Sequence, residues 1–202
     1  GLASTAANWS KGVPTADNAE SLVIFVDGNY SSHDLTWDAG VNGLADTVAS
    51  WTQTESYAGT VTINTTYPVA ASSFKTLTVT GAMAVDGGTL THPLSVNKDG
   101  DKTKYTIDQI RSDYTYRLDI EAGAFTLGAG AKVDLVGKGM SRNKTTAKLS
   151  TLAPVHGGQY EDSPVGCYGN PKYPEDIGWA GNVVSDRTQK HAAGGGAFKL
   201  KS

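Results

Sequence analysis

Charged side chains alternate with apolar ones between residues 117 and 134 of this 202-residue chain. In an extended strand, such alternation places the charges on the face opposite the apolar side chains. Two carboxylates about 5–10 Å apart can hydrolyse a glycosidic bond, and a Lys or Arg base suits a polysaccharide lyase. The candidate acids are Asp119, Glu121 and Asp134, and the candidate base is Lys132 or Arg117. Outward charges also keep a β-sheet protein soluble, so these residues are selected by side-chain direction alone.

Aromatic and acidic side chains cluster in a second region, between residues 138 and 196. Flat aromatic rings can stack on sugar rings, while neighbouring carboxylates bond to sugar hydroxyls. The candidate carbohydrate-binding residues are Tyr160, Asp162, Tyr168, Tyr173, Asp176 and Trp179. An equally good interpretation is that these aromatic side chains pack the region against the rest of the protein. Under either interpretation we expect the region to be ordered.

Oxygen-bearing side chains at alternate positions form a third candidate site, for calcium. Asn97, Asp99 and Asp101 follow the spacing of the first ligands of a calcium-binding loop. Asp108 lies where such a loop places its last ligand. Lys102 occupies the position where that loop requires glycine, and no flanking helices are evident. Two interpretations stay open, a Ca²⁺ site and a solvated polar turn, and the departures favour the turn. No other cofactor is expected.

The composition argues against several classes of protein. The net charge is −3 and the Lys and Arg residues are scattered, so nucleic acid is not an expected partner. No apolar run approaches the roughly 20 residues of a spanning helix, so no membrane-spanning segment is expected. The single cysteine, Cys167, excludes an internal disulfide and a thiolate metal cage. The 24 glycines, with many Thr and Val residues, are typical of a β-protein with tight turns.

Short runs of alternating apolar and polar residues recur along the chain, most of them closed by Gly, Asn or Asp. Their period of two and their β-branched residues predict strands, and no amphipathic helix of three turns is found. The predicted strands cover residues 22–26, 34–37, 46–51, 60–63, 76–79, 115–120, 124–127, 132–136 and 197–200. Two regions interrupt this pattern, a polar loop at 92–114 and a Gly/Pro/aromatic-rich excursion at 138–196. The chain is therefore predicted to be one all-β module over residues 1–202.

Two all-β architectures fit these strands, a β-sandwich and a right-handed parallel β-helix. Three apolar pairs, separated by glycine-containing turns, would face inward on three sides of one triangular coil. They are Leu118 and Ile120, Phe125 and Leu127, and Val133 and Leu135. This spacing favours the β-helix, a solenoid from which the long excursion departs, and the β-sandwich is the alternative.

The beginning of the chain resembles the start of many large secreted repeat proteins of bacteria. The sequence "NWS" at 8–10, "VP" at 13–14, Asp17 and the strand from Leu22 carry this resemblance. Proteins of this kind include autotransporter-like passenger domains and giant surface proteins of Planctomycetes, Verrucomicrobia and Lentisphaerae relatives. The stretch "GAKVDLVGKGM" and the closing "GGGAFKLK" are also similar to theirs, where a long glycine loop leaves the β-helix and rejoins it. The resemblance implies a secreted or cell-surface β-helix and brings no catalytic signature.

The sequence therefore predicts a non-enzymatic module that serves as a structural spacer, an adhesin or a polysaccharide-binding unit. The expected partners are a polysaccharide, or further copies of the chain or adjacent coils, because a solenoid ends in an open face that can accept another coil. The alternative is a polysaccharide lyase or glycoside hydrolase of the β-helix type, acting through the charged residues between 117 and 134. We also expect the chain to be one module of a longer protein.

Overall fold

The computed structural model describes residues 1–18, 22–30, 33–64, 76–94, 117–139 and 196–202. Its strands are β1 (Val23–Val26), β2 (Leu35–Trp37), β3 (Thr47–Val48), β4 (Ser50–Gln53), β5 (Thr60–Ile63), β6 (Leu77–Thr91), β7 (Leu118–Val133) and β8 (Phe198–Lys201). Two short 3-10 turns cover Ala6–Asn8 and Val41–Gly43. All pairings between these strands are parallel. The predicted all-β class is confirmed.

Most of the predicted strands coincide with observed ones. The run 60–63 is β5, and the runs 22–26 and 34–37 each begin one residue before the observed strand. The predicted run 46–51 divides into β3 and β4. The runs that begin at 115, 124 and 132 are joined in the single strand β7. Of the predicted polar loop and the predicted excursion, only residues 92–94, 138–139 and 196 are described.

Strand β6 consists of three segments that pair in turn with β3, β4 and β5. On its other edge β6 pairs with β7, and the register of this pairing shifts between Val79 and Ala82 and again between Val85 and Gly87. The shifts separate the segments. The second shift requires glycine, because a Cβ atom on Gly87 would lie 2.5 Å from the carbonyl oxygen of Thr54.

Parallel pairing stacks equivalent positions of successive strands into columns, and these columns form the core. One column, through β1, β4, β6 and β7, contains Ile24, Trp51, Met83 and Phe125. Another, through β2, β5, β6 and β7, contains Leu35, Val61, Leu90 and Val133. Burial of one such side chain contributes about 1.5–3 kcal/mol, so the columns supply much of the free energy of folding.

The N-terminal segment covers one end of this stack. Leu2 forms a parallel bridge with Thr36 of β2. The indole of Trp9 packs edge-on against Trp37, with 6.1 Å between ring centroids, and Trp37 packs against Trp51 at 5.1 Å. Trp37 and Trp51 are both completely buried as a result.

The opposite end of the stack is covered only in part. Strand β8 pairs with β7 from Leu118 to Glu121, and the described residues include no strand beside the rest of that edge of β7. The prediction that Leu118 and Ile120 point inward is confirmed, because both are completely buried. Leu127 lies opposite the buried Val85, yet its side chain is 48% exposed. Leu127 therefore occupies a core position that no described residue covers.

Candidate functional site

The first two charged residues of the predicted catalytic set form a buried ion pair. Arg117 and Asp119 are each only 4% exposed. The guanidinium of Arg117 donates through Nε, at 3.0 Å, and through Nη2 to Oδ2 of Asp119. The hydroxyl of Thr76 donates to the other carboxylate oxygen at 3.1 Å. The expectation that Asp119 and Arg117 point outward into solvent is therefore wrong, because each covers the other and their hydrogen bonds replace water.

Glu121, the next acidic residue, is bound to the neighbouring strand. It lies opposite Lys201 in the pairing of β7 with β8, and the Lys201 ammonium is 2.7 Å from its Oε1. Both side chains are substantially exposed. Asp119 is likewise opposite Lys199. A strand that carries carboxylates thus faces a strand that carries lysines, and opposite charges across a pair of strands stabilise the pairing.

Lys132 and Asp134 form a third pair, at the far end of β7. Nζ of Lys132 lies 3.2 Å from Oδ2 of Asp134, and the amide of Val136 donates to the other oxygen at 3.1 Å. These interactions, the Val136 hydrogen bond first, lower the pKa of Asp134 below its ordinary value. Asp134 therefore stays ionised at neutral pH, whereas the general acid of a glycosidase needs a raised pKa.

The predicted catalytic residues are therefore distributed over three separate ion pairs. Each carboxylate is held by a cation of its own, so Asp119, Glu121 and Asp134 do not share one group of acids. Their evident effect in this geometry is to hold strand ends in register. Isolated exposed pairs of this kind contribute about 0–1 kcal/mol, so the buried pair at Asp119 matters most for stability.

The other two predicted sites lie outside the described residues. These are the calcium candidates Asn97, Asp99, Asp101 and Asp108, and the carbohydrate candidates Tyr160, Asp162, Tyr168, Tyr173, Asp176 and Trp179. Within the described ranges, no three His, Cys, Asp or Glu side chains form a group that could hold a metal ion. Both sites stay predictions.

An uncharged outward face lies on the first segment of the stack, a feature that the sequence analysis did not identify. Phe25, Thr52, Ala84 and Thr126 are successive partners across β1, β4, β6 and β7. They alternate with the inward column that contains Trp51, so they point away from the core. The phenyl ring of Phe25 stands among much smaller neighbours and is 57% exposed. A column of small residues beside one aromatic ring makes a flat surface.

A polar cluster adjoins this face where β1 and β4 end. Oδ1 of Asp27 accepts hydrogen bonds from the Ser56 hydroxyl at 2.7 Å and the Thr54 hydroxyl at 3.0 Å. It also accepts from the backbone amide and the side-chain amide of Asn29, both at 3.1 Å. These bonds, the one from Ser56 first, lower the pKa of Asp27, so its carboxylate is ionised at neutral pH. Among the described residues no donor is bonded to Oδ2, which is left to accept a hydrogen bond.

The sequence of β1 contains no signal that separates its outward face from its inward face. Val23 and Phe25 are the apolar residues of β1 that do not face the core, and they are 60% and 57% exposed. The run from Leu22 to Val26 is apolar throughout, so its outward members could not be told from its inward ones until the partner strands were known.

Comparison with known proteins adds no family to this description. No protein-family model matches the sequence, and no curated protein or solved structure matches it. No helix among the described residues has the length and apolar character needed to cross a membrane.

Proposed function

We propose that the chain is a structural module, built as a right-handed parallel β-helix, that a secreted or cell-surface protein uses as a spacer or adhesive unit. The observation that carries this proposal is the succession of in-register columns and the way they end. Leu127 lies opposite a fully buried residue of β6 and is itself half exposed. A further coil placed on β7 would bury it.

The pairing of β6 supports a coil rather than a sandwich. A coil of a triangular solenoid needs three strand segments separated by two bends, with parallel partners on both edges. Strand β6 has three such partners on one edge and β7 on the other. A β-sandwich is assembled mainly from antiparallel strands, and the pairings between the described strands are parallel. This contrast favours the β-helix.

The partner at the open end is a further coil, supplied by another copy of the chain or by adjacent residues of a longer protein. The exposed edge of β7 carries backbone groups that can pair with a strand, and its inward side chains continue the core columns. The N-terminal end has no equivalent opening at Trp37 and Trp51, which are completely buried. Stacking would therefore extend the module in one direction.

Light scattering coupled to size-exclusion chromatography tests this proposal over a range of protein concentrations. We expect the wild type to associate at high concentration, and Leu127→Lys to prevent it because a lysine in the column would be buried without a partner. Val136→Lys is the matched control, since Val136 is exposed and follows β7 in the chain. A strict monomer at high concentration would rule out self-stacking of the isolated module.

The enzymatic alternative is tested with a panel of acidic and neutral polysaccharides. A structural module produces no new reducing ends and no unsaturated products from any of them. Cleavage that Asp134→Ala abolishes would replace the proposed function with a lyase or glycosidase. Polysaccharide binding by the aromatic residues from Tyr160 to Trp179 is a separate prediction, which the same panel tests by binding instead of cleavage.

A further inference from the structure

We propose that the outward face of β1 and β4 binds a neutral polysaccharide, with Phe25 as the ring on which a sugar stacks and Asp27 as a hydrogen-bond acceptor. This site is separate from the residues between 138 and 196 and from the open edge of β7. It adds a ligand to the structural role and does not depend on stacking of coils.

The platform is formed by an aromatic ring on a flat strand face. Phe25 is 57% exposed although its neighbours in the chain, Ile24 and Val26, are buried. The residue beside it on β4 is Thr52, which contributes a short side chain with a hydroxyl. Beyond Thr52 the column continues with Ala84, so on the β4 and β6 side the described partners of Phe25 are small. A sugar ring can therefore lie on Phe25 and bring its hydroxyls towards Thr52.

The acceptor lies at the end of the same face. Val23 and Phe25 are alternate residues of β1 and share the outward direction. Asp27 follows the strand at the next alternate position and is bonded there to the Thr54 hydroxyl at the end of β4. Four hydrogen bonds fix Oδ1 of Asp27 through Asn29, Thr54 and Ser56. They hold the carboxylate in one orientation before any ligand arrives, and Oδ2 stays available to a sugar hydroxyl. Pre-organisation of this kind lowers the entropic cost of binding.

The charge of the face selects a neutral ligand. The outward column from Phe25 to Thr126 contains no ionisable side chain, and the adjoining Asp27 carries a negative charge at neutral pH. A uronic-acid polymer would bring its carboxylates towards Asp27, to which no cation among the described residues is bonded, and like charges at short range are unfavourable. Neutral sugars offer hydroxyl donors to Asp27 and incur no such repulsion.

The size of the face argues against a second copy of the chain as the occupant. Four strands spaced about 4.8 Å apart, with two outward residues on each, span roughly 15 Å by 7 Å. That area is on the order of 100 Å², far below the roughly 800 Å² per partner of a stable protein interface. It is enough to seat one or two sugar rings of a chain.

Affinity electrophoresis in native gels containing a soluble polysaccharide tests the proposal on the full chain. The probes are a neutral glucan, xylan and mannan, with polygalacturonate as the acidic counterpart. We expect at least one neutral polymer to retard the wild type and polygalacturonate not to do so. We expect Phe25→Ala to weaken the retardation about tenfold, equivalent to about 1.4 kcal/mol. Asp27→Ala should also weaken it.

Two controls separate loss of binding from loss of fold or of assembly. Val136→Ala, which shortens another exposed apolar side chain, should bind like the wild type, and so should Leu127→Lys. Near-ultraviolet circular dichroism of Phe25→Ala should match the wild type, because the ring contributes little to the core. Agreement in these controls assigns the lost retardation to the Phe25 face.

Four results would overturn the proposal. These are absence of retardation by every neutral polymer, unchanged retardation of Phe25→Ala, stronger retardation by polygalacturonate, and self-association of the wild type that Phe25→Ala abolishes. The last would identify a second copy as the occupant. Stacking at β7 could still be observed in the first three cases, and in the fourth the separate Leu127→Lys variant shows whether β7 takes part, so failure here is distinguishable from failure of the proposed structural role.

Discussion

His92 is a buried, uncharged histidine on which the stability of the fold should depend. It directly follows β6 and is completely buried. Its Nδ1 lies 2.7 Å from the carbonyl oxygen of Pro93, so Nδ1 carries the proton and donates it. Among the described residues Nε2 has no hydrogen-bond partner. A Cβ atom on Gly196 would overlap Nε2 and would lie 2.9 Å from Cβ of Lys138, so the ring is enclosed where the chain enters β8.

Burial is the main reason why the pKa of His92 is lowered to about 4. The hydrogen bond to Pro93 opposes this shift, and the positive charge of Lys138 adds a smaller lowering. In the unfolded chain the pKa of histidine is about 6.5. Between these values the unfolded chain binds the proton and the folded protein does not. Stability is therefore complete above about pH 6.5 and falls as the pH is lowered through 4. The free energy of unfolding therefore decreases by about 3 kcal/mol in total, because each pH unit between the two pKa values contributes about 1.4 kcal/mol.

Urea unfolding at pH 7, 5.5 and 4 measures this loss, with tryptophan fluorescence as the signal. The variant His92→Asn does not titrate, while its amide can still donate to the Pro93 carbonyl. We expect the wild type to lose about 3 kcal/mol more than His92→Asn between pH 7 and pH 4. His33→Asn, the same substitution at an exposed histidine, is the matched control. Titration of Asp27 and Asp134 is common to all three proteins and cancels. Equal pH profiles for the wild type and His92→Asn would refute the reasoning.

Three further predictions test the ion pairs and the packing by urea unfolding at pH 7. Asp119→Ala removes the carboxylate that the buried Arg117 guanidinium binds and should cost about 3–5 kcal/mol of unfolding free energy. Glu121→Ala, at an exposed pair, should cost less than about 1 kcal/mol. Equal costs would contradict the assigned burial. Gly87→Ala places a methyl group 2.5–2.7 Å from three carbonyl oxygens and should lower the free energy of unfolding by at least about 1–3 kcal/mol. An unchanged free energy of unfolding would exclude this bend. Met83→Ala leaves a cavity in a core column and should lower the free energy of unfolding by about 2–5 kcal/mol. A decrease below about 1 kcal/mol would show that the column is not closely packed.

The strands could be predicted because alternation with a period of two is the strongest signal in this sequence. It identified β5 completely and most of β1, β2 and β8. It did not extend β4 to Gln53, because a polar residue does not look like a core position. Gln53 is nonetheless completely buried, and its side-chain amide donates to the carbonyl oxygen of Gly87 at the bend of β6. That bond joins two strands, so it could not be anticipated from either one.

The candidate site was harder to predict because it depends on which side chains from other strands lie nearby. Alternation predicted an outward Asp119 between Leu118 and Ile120, but it could not foresee that Arg117 and Thr76 would bury that carboxylate. In the same way, Phe25 looked like one more apolar residue of a buried strand. Its partner on β4 is the small residue Thr52, and its ring is 57% exposed.

The two ends of β7 differ in how strictly they select a neighbouring strand. From Asp119 to Glu121 the strand presents carboxylates to the lysines of β8, so the charges specify both the partner and its register. From Gly123 to Ala131 it consists of small and apolar residues with no charge, and Gly-rich strands specify register weakly. A coil added here would therefore take its register from the β8 end, where the charges are, and its binding energy from apolar side chains such as Leu127. One part of β7 would thus set the register of an added strand, and another part would supply its binding energy. This division explains how the uncharged edge around Leu127 could still accept a neighbouring strand in a single alignment.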